Sequence, residues 1–567
     1  MIFFYLATLL GLTWDFTRYK KGHYGFVSYQ VIKVALLSLY TFYLLYFSLL
    51  DVTFSAWFTH LGWMFATIWI IEYFLFYRKK NVSGLLFLML GVCIFLVSLY
   101  LAFIYPVTIA GDKYDVVNGT EKKTELPQTD EQNIVSVPLV YAKYKAEKLI
   151  GELKNYSYYD LGVYTIQKID GKLKYVTPIE FSEFSTWRRS GKEVPGYIVI
   201  DALDENAEAK LVKKKMKYVP SSYFGDNLMR KVRKQLPHDI LLGTSFEPDD
   251  NGKPYYTVTY GHYNKFRQTT EVDGIILFDP TTGEMKKYNT KNTPSFVDQV
   301  MPSSLASTYN SWYGKYVMGW LNSWWGKKEV KLPTAGGFEG NVAPVFDNKR
   351  HMSLFTDFTT LNKNASSMVG YSMINARTGQ YTFYTGKSIN GLVNGDSAKN
   401  AVNKTFTKDK WYGTQPMLYN VYGEMTWFLP VVDKDGLLRN YALVNAKDPK
   451  VLATSDTKQK AFETYKRLLV TKLNGKNVKP GSGLEMKKVT GTVVSKEVVA
   501  KDDVITYIQI DTDMKKVYQL SLSKDPYSVT LEKGTSITVN YVDSDEPLVE
   551  IQKLHINKTM ENKKQAD

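Results

Sequence analysis

Four histidines follow the last long apolar stretch of the sequence, and their ability to form a site is the first question about chemistry. They are His238, His262, His351 and His555. A zinc site needs three or four closely placed His, Cys or carboxylate ligands. None of the four lies within helical or strand spacing of another histidine or of a cysteine, so distant segments would have to converge. We interpret them as surface or core histidines and predict no metal site.

Two short motifs match the spacing of nucleophile or phosphate sites. Ser521 and Lys524 have the Ser-x-x-Lys spacing that lets a lysine on the same helical face activate a serine. Their segment has the pattern of a strand end, which would separate the two side chains. Gly386–Ser388 ends like a phosphate-binding loop, but Tyr381 stands where that motif requires a glycine. We therefore predict no catalytic residue and no cofactor site.

Two acidic clusters carry oxygen atoms that suit a cation. Asp249–Gly252 begins like a calcium-binding loop, yet Tyr260 occupies the twelfth position, where the loop needs a glutamate. The same four residues are typical of a hairpin turn, and we interpret them so. Asp543, Asp545 and Glu546 form a second cluster that could bind a cation weakly.

The aromatic segment from residue 312 to 325 is the candidate interaction surface. Its large aromatic side chains recur every four residues, which on one helix would form an apolar stripe ending in a tryptophan pair: Trp312, Tyr316, Trp320, Trp324 and Trp325. Lys315, Lys327 and Lys328 lie near its edges. Two interpretations stay open. The stripe packs on the protein's own sheet, or it docks on the outer membrane leaflet or on a partner helix.

Three apolar stretches of 17 to 23 residues lie within the first 106 residues: Val34–Leu50, Trp57–Tyr77 and Gly84–Pro106. A helix needs about 20 apolar residues to cross a bilayer, so these stretches predict three membrane spans. Met1–Trp14 is apolar but short, and it could be a further span, a re-entrant segment or an interfacial helix. No small-residue cleavage site follows it, which argues against a removed signal peptide.

Basic residues near the spans predict the orientation. One cluster precedes the first span and another separates the second from the third: Arg18, Lys20, Lys21 and Lys33, then Arg78, Lys79 and Lys80. The connection Asp51–Ala56 has no basic residue. The positive-inside rule places both clusters in the cytoplasm. We therefore expect a multi-pass protein of the cell membrane whose residues after about 106 are extracytoplasmic.

Glu72 is an acidic residue within the second predicted span. Charge inside a membrane is costly and often functional, which suggests a proton or ion relay. The simpler interpretation, which we favour, is a carboxylate near the interface that pairs with Arg78, Lys79 or Lys80.

Composition limits the classes of partner. The chain carries a formal charge of +15, and the part after residue 106 holds 64 basic and 53 acidic residues. Such a basic surface suits anionic wall polymers or lipid headgroups, although spread-out lysines also serve solubility. The single cysteine, Cys93, lies in the third predicted span, so the exterior body has no disulfides. An exported body without cysteines suggests a Gram-positive bacterium or its phage. The predicted side of the membrane argues against nucleic acid.

The segment 107–136 is polar, which predicts a tether. A series of repeated hairpins follows within residues 137–474. Each hairpin has an apolar strand, an Asp or Asn, a turn and a second strand: Gly196–Val212, Gly274–Tyr288, Gly370–Tyr384 and Tyr441–Leu452. Asp and Asn side chains bond to nearby backbone amides and so open turns. The predicted helices of this region are Pro138–Tyr156, Ser222–Gln235, Phe296–Trp325 and Asp456–Leu473.

The best-formed hairpin, Ile275–Glu284, reads Ile-Ile-Leu-Phe-Asp-Pro-Thr-Thr-Gly-Glu. This unit resembles the PepSY-type module, in which a helix packs on a small sheet that carries such a hairpin. The plan of the chain also resembles large membrane proteins of Gram-positive bacteria and their phages. The resemblance implies an α+β exterior domain of repeated small antiparallel sheets with helices, acting as a binding or inhibitory module. It carries over no functional residue.

The C-terminal part begins after a linker at 475–485. Residues 486–556 predict five strands, which resemble a small oligonucleotide/oligosaccharide-binding-like (OB-like) β-barrel: Lys487–Val499, Val504–Asp511, Lys516–Ser523, Ser536–Val542 and Leu548–Ile556. Stacking aromatics are sparse, so we favour a structural role. Residues 557–567 form a polar tail.

These features predict a membrane α-helical anchor that carries an α+β exterior domain and a C-terminal barrel. Our leading hypothesis is a non-enzymatic envelope protein that binds proteins or wall polymer, or scaffolds a complex. One alternative is an envelope hydrolase or transferase with a site assembled between repeats. Another is a phage-encoded membrane protein that modifies the host envelope.

Overall fold

The computed structural model describes residues 4, 5, 8, 24–77, 82–334, 342–362, 365–473, 482–484, 486–500, 504–542 and 547–557. The chain divides into two compact units. The first contains the residues up to Thr124 and Val135–Asn390, and the second contains Glu125–Ile134 and the chain from Gly391 onward.

Among the residues that the structure describes, three helices are long and apolar enough to cross a membrane: α1 Tyr24–Tyr46, α2 Phe54–Tyr77 and α3 Gly84–Thr108. They confirm the three predicted spans. The first helix begins before the predicted Val34 and contains Lys33, whose charge is paired within the bundle. The basic residues at 18–21 and 78–80 lie outside the described residues, as does most of Met1–Trp14.

The segment after the third span is structured, unlike the tether predicted for 107–136. It forms helix α4, Ala110–Val117, and strand β1, Thr120–Lys122, which pairs in parallel with a strand near residue 382. Glu125–Ile134 belongs to the second unit, where the Thr129 amide donates to the carbonyl of Asn420 at 2.9 Å. These pairings satisfy backbone groups that a free tether would leave to water.

The described part of the body contains four repeats, each a helix followed by a sheet of antiparallel strands, to which β1 adds a parallel edge in repeat 3. Repeat 1 has helices α5 Leu139–Gly151 and α6 Phe184–Arg189, with strands β2 Tyr159–Leu161, β3 Thr165–Ile169, β4 Lys172–Phe181, β5 Val194–Asp201 and β6 Lys210–Met216. Repeat 2 has helix α7 Leu228–Gln235 and strands β7 Ile240–Phe246, β8 Tyr256–Asn264, β9 Thr269–Phe278 and β10 Met285–Asn289. Their sheet orders are β2-β4-β5-β6, with β3 on β4, and β10-β9-β8-β7.

Repeat 3 has helices α8 Ser303–Lys315 and α9 Gly319–Leu321, with strands β11 Leu332–Pro333, β12 Ala343–Phe346, β13 Met352–Thr359, β14 Gly370–Asn375 and β15 Tyr381–Tyr384. Repeat 4 has helix α10 Gly395–Thr405 and strands β16 Tyr412–Gly413, β17 Met417–Val421, β18 Glu424–Val432, β19 Leu438–Asn445 and β20 Leu452–Ser455. The sheet orders are β1-β15-β14-β13-β11, with β12 on β13, and β16-β18-β19-β20, with β17 on β18.

All four predicted hairpins form, and the same turn chemistry opens each one. An Asp or Asn at the end of the first strand accepts the backbone amides two and three residues later at 2.8–3.2 Å: Asp201, Asp279, Asn375 and Asn445. In two copies a glycine completes the turn at positive φ, Gly283 at +78° and Gly379 at +74°. The turns are therefore set by residues that the sequence shows directly.

A second bond recurs in every repeat and ties the hairpin to the helix of the same repeat. The carbonyl of the residue after each turn-opening Asp or Asn accepts hydrogen bonds from backbone amides of the chain that leads into the helix. Ala202 accepts from Ser136 and Val137, Pro280 from Lys217 and Tyr218, Ala376 from Val300 and Met301, and Ala446 from Val393, all at 2.7–3.1 Å. In each repeat, these hydrogen bonds therefore join the chain that enters the helix to the hairpin of the same repeat.

The C-terminal strands follow helix α11, Lys458–Leu473. They are β21 Met486–Ala500, β22 Val504–Ile510, β23 Asp513–Ser521, β24 Ser536–Val542 and β25 Leu548–Ile556, within a few residues of prediction. Their hydrogen-bonded order, β21-β22-β23-β25-β24, closes on itself because β24 also pairs with β21. Alternate side chains such as Ile508, Ile510 and Tyr518 are buried in its core. Most of the linker and the tail beyond residue 557 lie outside the described residues.

Candidate functional site

The predicted aromatic stripe is divided into two parts. Helix α8 ends at Lys315, and Gly319 then adopts a φ of +75°, in the left-handed region. The chain continues through α9 into a π-helical turn, Asn322–Gly326. The prediction of one helical stripe over residues 312–325 is wrong, because a left-handed residue interrupts a right-handed helix.

The two parts differ in exposure. Trp312 and Tyr316 are half-buried, and the Trp312 ring stacks on Tyr309 with 5.7 Å between ring centroids. Beyond Tyr316, large apolar side chains are exposed to 45–77%: Met318, Leu321, Trp324 and Trp325. We call residues 318–328 the aromatic loop. The first part packs on the protein itself, as one interpretation expected, whereas the aromatic loop faces outward.

Hydrogen bonds to Asn322 fix the shape of the aromatic loop. Its side-chain oxygen accepts the Lys328 amide at 3.0 Å, and its side-chain amide donates to the Lys328 carbonyl at 2.8 Å. The Trp324 ring stacks on Trp320 at 5.8 Å and meets Trp325 edge-on at 5.7 Å. Lys327 and Lys328 are exposed beside these rings. The loop is thus a preformed aromatic surface with positive charge at one edge.

The aromatic loop lies beside the end of the third span. Helix α9 packs against α4, and only Ile109 separates α4 from α3. The Tyr114 ring of α4 stacks on Tyr313 of α8 at 5.3 Å and fixes the two helices together. This proximity to a membrane span was not readable from the sequence, which only marks the aromatic residues.

A polar junction joins the connection between α1 and α2 to repeat 2. Arg267 donates two hydrogen bonds to Asp51, with Nη1–Oδ1 at 3.0 Å and Nη2–Oδ2 at 2.8 Å. Their side chains are only 14% and 5% exposed. Burial opposes ionisation of Asp51, but hydrogen bonds from Arg267 and Thr53 outweigh it, so the pKa of this carboxyl lies below its ordinary value.

Backbone groups complete the junction. Arg233 donates through Nε to the Leu49 carbonyl at 2.8 Å and through Nη1 to the Asp239 carbonyl at 2.6 Å. The Val52 amide donates to the carbonyl of Pro237 at 2.8 Å. This site was not predicted from the sequence. Its single signal there is Asp51, an isolated charge in a short connection between two spans.

The turn between β8 and β9 is strained. Lys265, Phe266 and Arg267 all have left-handed backbones, with φ of 48°, 50° and 67°. Such a conformation costs a residue with a side chain about 1–2 kcal/mol, and it persists where surrounding contacts hold it. Here Phe266 meets Phe58 of α2 edge-on at 5.7 Å, and Lys265 pairs with Asp112 of α4 at 2.9 Å. The turn is therefore held against span α2 and against helix α4, which follows the third span.

A cavity of about 450 Å³ lies beneath this turn, between α2 and α3. Its walls are mostly apolar and include Phe58, Trp63, Phe95 and Leu99, with Gln268 at the body side. Its size is within the range of small-molecule sites, and its lining suits an acyl chain better than a polar substrate.

Within the spans, Glu72 pairs with Lys33 of α1. The Nζ–Oε1 distance is 2.5 Å, and the two side chains are 3% and 2% exposed. The predicted partners Arg78, Lys79 and Lys80 lie outside the described residues. The pair joins α1 to α2, which fits a structural role because each charge compensates the other.

The histidines remain separate. His262 lies 2.9 Å from Asp273 and His351 lies 3.2 Å from Asp347, both on exposed surface. His238 Nδ1 lies 2.8 Å from the Val52 carbonyl, and His555 is exposed on β25. Among the residues that the structure describes, no group of three or more His, Cys, Asp or Glu could hold a metal ion.

The remaining motifs have structural roles. Ser521 ends strand β23, as predicted, and Lys524 pairs with Glu550. Asp249 accepts the amides of Asn251 and Lys253 at 2.9 and 2.8 Å, which confirms a hairpin turn between β7 and β8. Gly386–Ser388 lies in the connection after β15. The cluster Asp543, Asp545 and Glu546 lies outside the described residues.

Two neighbouring carboxyl groups were not anticipated: the fully buried Glu247 of repeat 2 and the half-buried Asp298 of the chain that leads into the helix of repeat 3. Burial, with a contribution from the charge of Asp298, raises the pKa of Glu247 to about 8. Burial also raises the pKa of Asp298 to about 6. The Asp298 amide donates to Glu247 Oε2 at 2.8 Å. Paired carboxyls with separated pKa values are typical of acid–base sites, but Glu247 is fully buried, so no substrate reaches it.

No protein-family model matches the sequence, and no curated protein matches it. Among solved structures, a complex of BT0996 with RGII is 9% identical, covers 71% of this chain and 91% of its own, and has a TM-score of 0.18. A levansucrase mutant from B. megaterium is 12% identical, covers 79% and 94%, and has a TM-score of 0.17. Similarity at this level carries no argument about fold or function.

Proposed function

We propose that this chain is a non-enzymatic, membrane-anchored envelope protein whose exterior body binds proteins or wall polymer, or scaffolds a complex. The observation that carries the proposal is the junction of Asp51 and Arg267. Because both charges are buried against each other, repeat 2 is mounted firmly on the connection between two spans. Mounted in this way, repeat 2 is held at a constant distance from the membrane, which suits a scaffold.

Two finer assignments belong to this proposal. The recurring helix, sheet and Asx-opened hairpin support a PepSY-like identity for the four repeats, with the TGE turn at Thr282–Glu284 as the best match. The closed order of β21–β25 supports an OB-like barrel. A Gram-positive or phage origin rests on the cysteine-free body alone.

The orientation is tested by cysteine labelling in intact cells. In a Cys93→Ala background, Asn251→Cys in the exposed β7–β8 turn should react with a membrane-impermeant maleimide. Lys79→Cys, in the basic connection between the second and third spans, is the matched control and should react only after lysis. The reverse pattern would place the body in the cytoplasm and end the envelope proposal.

Binding is tested with the full chain in nanodiscs. Isolated cell-wall sacculi that retain their anionic polymers should sediment the protein, and sacculi stripped of these polymers should sediment several-fold less. Site-specific photocrosslinking from Asn251 in intact cells examines protein partners in parallel. If neither sacculi nor any envelope protein is bound, the binding and scaffold function is wrong even where the orientation is right.

A further inference from the structure

The aromatic loop exposes more apolar surface than a position in water favours. Four side chains of one short segment are 45–77% exposed: Met318, Leu321, Trp324 and Trp325. Single exposed apolar residues are ordinary, but a contiguous patch that includes two tryptophans marks an interaction surface. The bonds to Asn322 hold the loop in this shape, so little ordering would accompany binding.

The position of the loop indicates what covers it. Helix α9 packs on α4, which begins one residue after the third span ends. The eight residues of α4 extend about 12 Å at 1.5 Å each. Lys265 of the β8–β9 turn pairs with Asp112 of α4, and Phe266 of the same turn touches α2. The loop therefore lies close to the level at which two spans leave the bilayer.

The side chains of the loop suit the membrane–water interface at that level. Tryptophan concentrates at membrane interfaces because its ring is apolar and its indole N–H is polar. The exposed Lys327 and Lys328 follow Trp325 after one glycine, and cations at this position attract anionic lipid headgroups.

We propose that the aromatic loop, residues 318–328, inserts into the headgroup region of the bilayer on the side of the body and gives the first unit a second attachment to the membrane. The occupant of the surface is the lipid interface itself, with anionic lipid preferred through Lys327 and Lys328. Trp324, Trp325 and Leu321 enter the boundary between headgroups and acyl chains. This attachment depends on the three spans and on the body side of the bundle, and it needs no wall polymer or protein partner.

The test uses the full chain in nanodiscs with an environment-sensitive fluorophore. Leu321→Cys in a Cys93→Ala background is labelled with a nitrobenzoxadiazole group and mixed with lipid spin-labelled near the headgroup. The matched control is Asn251→Cys, because its turn lies at the other end of β8, a strand of nine residues that spans about 30 Å. We expect at least threefold stronger quenching at residue 321 than at residue 251.

Equal quenching at the two positions would overturn the proposal. So would a blue-shifted but unquenched fluorophore at residue 321, since that result means a protein surface covers the loop. Lys327→Cys serves as a second labelling position if Leu321→Cys does not fold, with the same expected result. Replacing Lys328 by Glu should reduce quenching in anionic nanodiscs and leave it unchanged in zwitterionic ones. A loss of lipid contact would leave wall-polymer binding untouched, so the two proposals fail separately.

Discussion

The junction of Asp51 and Arg267 and the aromatic loop both lie at the membrane side of the first unit, and they contrast in how their side chains are satisfied. At the junction two opposite charges are almost fully buried and bond to each other. In the aromatic loop two tryptophans are more than half exposed. Buried charges require their partner within the fold, whereas exposed aromatic surface gains by leaving water. The charges of the junction are paired within the chain, whereas the exposed rings of the loop are the surface that we propose to contact lipid.

The largest effect is expected from breaking the junction. Arg267→Ala leaves Asp51 buried without its counter-charge, which should destabilise the protein by about 3–5 kcal/mol. The thermal midpoint of the purified protein in detergent measures it. Arg189→Ala, an exposed arginine of α6, is the matched control and should change little. If the two variants unfold at the same temperature, the junction does not hold the body on the anchor.

The ion pair inside the spans should give the next effect. Lys33→Met removes the positive charge of this ion pair from beside Glu72 and should cost about 2–3 kcal/mol, less than the full penalty because the carboxyl can take up a proton. The double variant with Glu72→Gln should recover most of the loss in the same unfolding assay. A double variant no more stable than Lys33→Met would mean that the pair is not the source of the loss.

The buried Glu247 sharpens the contrast, because none of the described residues forms an ion pair with it, whereas Asp51 pairs with Arg267. With a pKa near 8, the native carboxyl keeps a proton that the unfolded chain releases above about 4.3. Stability should therefore fall as pH rises from about 4.5 to about 8, by on the order of 1 kcal/mol per pH unit. Glu247→Gln should flatten this slope, leaving a smaller fall below pH 6 from Asp298. Exposed Glu284→Gln should keep the full slope.

The smallest effect on stability is expected in the aromatic loop. Trp324→Ala with Trp325→Ala removes exposed rings, so the unfolding free energy should change by less than about 0.5 kcal/mol in detergent. The fully buried Trp427→Ala should instead cost about 3–5 kcal/mol. A comparable loss from the double variant would show that the loop is part of the core.

The sequence by itself determined the membrane spans, the hairpin turns and the C-terminal strands, because each depends on local interactions. Long apolar runs fix three spans, and Asp201, Asp279, Asn375 and Asn445 open four hairpins through amides two and three residues away. Alternation in residues 486–556 predicts five strands within a few residues. These features depend on residues that are close together in the chain, so they can be predicted from the sequence.

Tertiary structure alone decided which distant groups meet. Asp51 and Arg267 are 216 residues apart, and Lys33 and Glu72 are 39 apart. No periodicity specifies such pairs, because they depend on which surfaces the fold brings together. The same holds for exposure. Trp312 and Trp324 have identical side chains and lie in one segment, but Trp312 is half-buried and Trp324 is exposed. The left-handed Gly319 between them changes the direction of the chain.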